Sequence, residues 1–214
     1  MSPAPRSTPP AEGWQAGANP AGRGRPAAAQ PDDVLVAARR QFTAEQRIDV
    51  QAIAAELGLG RATIYRWFGS REGLIGTLLL TDCTVLFRRA EQRANDATGA
   101  HRVLQTIDGF NRKLMTNNAF RAYIELEQRA ALQVLTSAAG TFQPGAVALV
   151  TALIERAVNE DGYQPPLEPA TLAYALARLN EAFLYNDAVI GLSGDLDVLH
   201  DVLAALLGIP HQSR

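Results

Sequence analysis

At 214 residues and 47% hydrophobic content, the chain holds enough apolar material for a packed core. Its longest apolar runs, Leu74 to Leu80 and Ala146 to Ile154, fall well short of the roughly 18 residues of a membrane span, so no helix is expected to cross a bilayer. The net charge of −2 speaks against a uniformly basic nucleic-acid binder, but it is unevenly divided: residues 1–75 carry nine Arg against seven acidic residues, and 76–214 carry eleven basic against fifteen acidic. A lone cysteine, Cys83, excludes an intramolecular disulfide, and no signal-peptide core opens the chain, so a cytoplasmic location is expected.

Residues 1–30 are rich in Pro, Ala and Gly and lack apolar periodicity, which predicts a disordered arm. Within it, GRGRP at 22–26 resembles the core of an AT-hook, a peptide that lies in the minor groove of A·T-rich DNA. That resemblance implies that Arg23 and Arg25 enter the narrow, negative groove. From Asp32 onward Ala, Leu, Arg and Glu predominate, Pro and Gly punctuate, and no strand alternation appears, so the fold class is all-α. Helices are expected over 32–44, 49–57, 61–67, 71–95, 101–116, 119–138, 144–161, 168–191 and 195–207, with a break at Ser193-Gly194.

The segment from Asp49 to Phe68, DVQAIAAELGLGRATIYRWF, meets the demands of two short helices joined by a tight turn. Asp49 is suited to cap the first, and Val50, Ile53, Ala54 and Leu57 line one face at helical spacing. Gly58 can take the left-handed conformation that ends a helix, so that a second helix starts near Arg61. On that helix Ile64 and Phe68 face inward. Arg61, Ala62, Thr63, Tyr65 and Arg66 are left outside, a set able to pair guanine, meet a thymine methyl and reach phosphate. Ser70 then caps the following helix, and Arg71 at its start can grip phosphate.

The stretch Val34 to Leu80, with VLVAARRQF, IAAELGLGRATIYRWF and SREGL, resembles the N-terminal domain of the TetR family of one-component repressors. The resemblance implies a helix-turn-helix DNA-binding domain over 31–75, braced by Val34, Leu35, Ala37, Ala38 and Phe42, and a ligand-binding and dimerisation domain over 76–214. It implies that Arg61, Ala62 and Thr63 read bases while Tyr65, Trp67 and Arg71 contact the DNA backbone. It also implies a homodimer on a double-stranded operator, released by a small molecule. Four positions depart from the family pattern: Asp49 stands where Ser or Thr is usual and is assigned capping only, Gln46 replaces a Gly after the first helix, Trp67 replaces a His, and Arg71 replaces a Lys.

Beyond residue 80 no enzyme motif is legible. His101, His200 and His211 are not spaced for a metal with Cys83, no phosphate loop or nucleophile elbow occurs, and no metal or cofactor is expected. Polar residues on apolar helices stand out instead. Arg121, Glu125 and Arg129 recur every four residues and read as a solvated ion-pair ladder. Arg178, Glu181 and Tyr185 share a face amid apolar neighbours and read as a buried polar cluster. YRWFGSREGLIG with RLNEAFLYND is similar to the QsdR-like branch of the family. This implies a lactone or acyl-type ligand, with Phe110, Leu114, Tyr123, Arg178, Glu181 and Tyr185 as pocket candidates. An all-α enzyme and a ligand-blind DNA-binding protein are the alternative readings.

Overall fold

A computed structural model describes residues 29–186 and 195–210, and among these every regular element is helical. The arm with Arg23 and Arg25, the last residues expected in helix 168–191, the Ser193-Gly194 break and His211 lie outside the described residues. The helices are α1 (Pro31–Thr43), α2 (Val50–Glu56), α3 (Arg61–Phe68), α4 (Arg71–Arg93), α5 (Gly99–Met115), α6 (Asn118–Leu126), α7 (Gln128–Thr136), α8 (Phe142–Asp161), α9 (Pro169–Glu181) and α10 (Leu196–Leu206). A π-helical turn, Ala182–Asn186, continues α9.

The head, α1 to α3, forms as local chemistry dictates. Asp49 caps α2, its Oδ1 accepting from the amides of Gln51 (2.8 Å) and Ala52 (3.1 Å). Gly58 then stops α2 at φ 63°. Around it the Leu59 amide donates to the Ala54 carbonyl (2.8 Å) and the Gly58 amide to Ala55 (3.3 Å), the paired bonds of a Schellman stop. Val34, Ala38, Ile53 and Ile64 are sealed from solvent between the three helices, while Leu35 is partly buried. The expected boundary at residue 75 falls within α4. That helix begins on the Ser70 cap, whose Oγ accepts from Gly73 (3.0 Å), and runs unbroken from head to body.

In the body, α4 and α5 pack against α8 and α9, with α10 across α5 and α9. One approach is very close: a Cβ on Gly145 of α8 would lie 2.3 Å from the Leu80 side chain of α4, so a larger residue here requires that side chain to move. The expected single helix 119–138 is two. Glu127 departs to φ −131°, ψ 43° between α6 and α7, with neither Gly nor Pro to announce the break. Arg121, Glu125 and Arg129 are exposed, and they form no ion pair with one another among the described residues.

Candidate nucleic-acid interface and interior cavity

The outer face of α3 is presented as its spacing predicts. Ile64 is wholly buried, whereas Arg61, Ala62, Tyr65 and Arg66 are exposed and Thr63 is half-buried. Trp67 is half-buried and packs with Phe68 against the core, so much of its ring braces the head. Beside this face a shallow hollow is lined by Arg47, Arg61, Tyr65 and Arg71 with the start of α2. Arg47 lies between helices, outside any periodic pattern that would mark it in the sequence.

Arg71 is differently placed from a free phosphate contact. Its guanidinium makes a bidentate pair with Glu127, NH1 to Oε2 at 2.7 Å and NH2 to Oε1 at 2.6 Å, while Nε donates to the Ile48 carbonyl at 2.8 Å. Both side chains are largely buried, at 16% and 8% exposure, and Glu127 holds the Arg71 pKa above its ordinary value. Arg47 adds a longer approach to the same carboxylate, 3.6 Å. Tyr123, one of the pocket candidates, lies at this junction. Its ring meets Phe42 at 5.9 Å, its hydroxyl is buried without a partner, and burial followed by the Glu127 charge raises its pKa. Head and body are thus joined by a charge pair 56 residues apart in sequence, a relation no local pattern reveals.

Behind the junction lies a small, mostly apolar cavity of about 50 Å³ among α4, α5, α8, α9 and the π-helical turn. Phe110, Glu181 and Tyr185, three of the residues named as pocket candidates, line it. Phe110 packs edge-on to Phe87 at 5.6 Å, and the Tyr185 ring meets Phe120 at 5.9 Å. Leu114 faces a different hollow, beside α1. Arg178 is on the outer edge, 45% exposed, with NH1 2.6 Å from Glu181 Oε2 and 3.3 Å from the Thr136 carbonyl; it closes the cluster from outside instead of lying within it.

Two residues not anticipated, Asn111 and Asn180, supply the remaining polarity. The Asn111 amide donates to Asn180 Oδ1 (2.5 Å), whose own amide donates to the Leu176 carbonyl (2.8 Å). Asn111 is 2% exposed, and its Oδ1 is left without a hydrogen bond. Burial pushes the Glu181 carboxyl up in pKa against the opposing pull of Arg178, and pushes Cys83, on the cavity wall, up to about 12. An apolar chamber with a few convergent polar atoms is the usual composition of a small-molecule site. No cluster of His, Cys, Asp and Glu among the described residues is arranged to hold a metal.

The family model "Tetracyclin repressor-like, C-terminal domain" matches residues 98–208, more than half of the chain, and that of "Bacterial regulatory proteins, tetR family" matches residues 34–78. The chain belongs to the TetR family. The TetR fold recurs in the solved transcriptional repressor QsdR of R. erythropolis, at TM-score 0.79 and 24% identity, covering 86% of this chain and 97% of that one. It is also similar to the regulator FadR of Bacillus subtilis, solved in complex with stearoyl-CoA, at TM-score 0.50 and 15% identity, over 85% and 100% of the two chains. No curated protein matches in sequence. TetR proteins are DNA-binding transcriptional regulators with a helical ligand-binding domain, not enzymes, and no described helix is long and apolar enough to cross a membrane.

Proposed function

We propose that the protein is a dimeric repressor that reads an operator through α3 and leaves it when a small apolar or lactone/acyl-type ligand enters the inner cavity. The observation that carries this reading is the exposed face of α3, whose arginines and hydroxyl stand outward on a head whose interior is complete without them. Arg61, Ala62 and Thr63 are assigned to base edges, and Tyr65, Arg66 and the half-buried Trp67 to the backbone beside them. Arg71 is assigned to the backbone only once Glu127 releases it. Arg23 and Arg25 are proposed as minor-groove contacts. A second copy is accommodated by α8 and α9, where Ala148, Ala152 and Tyr174 are exposed, and a two-fold pair suits a palindromic site.

The cavity's size supports a release mechanism. At about 50 Å³ it is far below the roughly 300 Å³ at which drug-sized pockets begin, so an occupant must part α4, α5, α8 and α9. Because α4 also carries the head, parting it changes how the two heads of a dimer stand. A hundredfold loss of operator affinity requires the ligand to prefer the parted state by about 2.7 kcal/mol. Selection of bound duplexes from a random pool tests the reading: recovery of a palindrome is expected, and enrichment of no sequence would remove it. Arg61→Ala should weaken the selected site by about 1–3 kcal/mol and relax one base position, measured by fluorescence anisotropy.

A further inference from the structure

A cleft of about 270 Å³ opens where α1, α4 and the α5–α6 junction meet. It is distinct from the inner cavity, and Cys83 is the one residue common to both linings. The floor is apolar, built from Phe42 of α1, Leu79 and Leu86 of α4, Leu114 of α5 and Phe120 of α6. The lip has the opposite character. Arg89 and Lys113 are both exposed there, and neither has a carboxylate within ion-pair distance among the described residues.

The carboxylate on this lining, Asp82, is already committed to Arg39, which donates to Oδ1 through Nε at 2.9 Å and through NH2 at 2.5 Å. Asn117 uses its carbonyl oxygen to cap α6, accepting from the Phe120 amide at 3.0 Å, which leaves its NH2 as a donor. Two uncommitted cations and an amide donor therefore border an apolar floor, with no free anion to answer them. A molecule that is anionic at one end and apolar along its length satisfies both halves: charge-assisted hydrogen bonds at the lip and burial of hydrocarbon below.

We propose that this cleft binds a small carboxylate with an apolar tail, its head held by Arg89 and Lys113 and its tail laid over Phe42, Leu114 and Phe120. The site goes beyond the ligand assigned to the inner cavity and is chemically different from it, since the inner cavity offers carboxyl and amide oxygens and no uncommitted cation. The occupant would touch α1, α4 and α6 together, which pack on one another where head meets body.

Lys113 is the sole lysine of the chain, so acetylation by an amine-selective reagent reports on this lip at one peptide, with the chain's α-amine as internal standard. Decanoate, titrated below its micelle concentration into the full-length protein, is expected to slow acetylation of Lys113 at least tenfold while leaving the α-amine unchanged; decanol at equal concentration should give little protection. Arg89→Glu should raise the decanoate concentration for half-protection at least tenfold, and Ala146→Leu, which fills the inner cavity, should leave it unaltered. Absence of protection, equal protection by decanol, or loss of protection in A146L with retention in R89E would each overturn the proposal. No DNA enters the assay, so its failure is separate from any failure of the repressor reading.

Discussion

Glu45 ends α1 at φ 57°, the single non-glycine residue in the left-handed region among those described. The Glu45 amide bonds the Phe42 carbonyl and the Gln46 amide the Gln41 carbonyl, both at 3.0 Å, so the chain makes a glycine-type stop with a residue that pays a Cβ penalty. Glu45→Gly should therefore stabilise the protein by about 0.5–1 kcal/mol, less the entropy glycine adds to the unfolded chain, measured by urea denaturation. The missing glycine was noticeable in sequence, but one position late: Gln46 was marked as the departure, and the strained residue is its neighbour. The α3 face was largely legible, because 3.6-residue periodicity fixes which side of a short helix is buried, although Thr63 and Phe68 are each half-buried at its edge. Arg71 was not, because its partner is fixed by tertiary approach and no rule of spacing links residues so far apart.

At the scale of elements, the expected helix 119–138 breaks, and the described part of the expected helix 168–191 changes pitch, where a buried polar group is served. Glu127 leaves helical geometry beside the guanidinium of Arg71, and α9 widens into a π-helical turn just after Glu181, bringing Leu184 and Tyr185 to the cavity. Neither place has a Gly or Pro, so propensity reads both stretches as regular helix. Glu181 gives a pH prediction. Burial holds its folded pKa above the unfolded value, so the folded state takes up a proton more readily; the contribution to stability is greatest below the unfolded pKa and is lost as pH rises through the folded one. Glu181→Gln, which keeps the shape without the charge, should raise Tm at pH 8 and change it little at pH 4. An equal change at both would mean the carboxyl is not the cause.

For the whole molecule, α4, the packing of α1 on α6 and the Arg71–Glu127 pair are described routes by which the body can address the head, since α4 is continuous and the other two span the junction. Removing one partner of a buried ion pair costs stability, but here it also frees a cation beside the α3 face. Glu127→Gln should lower the denaturation midpoint, tighten operator binding, and steepen its salt dependence by about 0.9 in log–log slope for each phosphate Arg71 gains. An unchanged slope with the same loss of stability would assign the pair to structure alone. The all-α class and the order of head and body were legible from composition and the helix-turn-helix segment. The cavity was only partly so. Its aromatic and acidic members stand out as polar or bulky residues on apolar helices, whereas Asn111 and Asn180 carry no sequence pattern that marks them as cavity residues.

The tightness of the inner cavity has a kinetic side. A chamber of about 50 Å³ gives an entering molecule no vacant berth, so the encounter that counts is with a transiently widened body. Observed binding rates should then level off as ligand concentration rises, at a ceiling set by the opening rate of the protein. Stopped-flow mixing, followed by fluorescence of the tyrosines and tryptophans, would read that ceiling. Leu80→Ala, which trims a side chain of the cavity wall where α4 meets Gly145, should lift it.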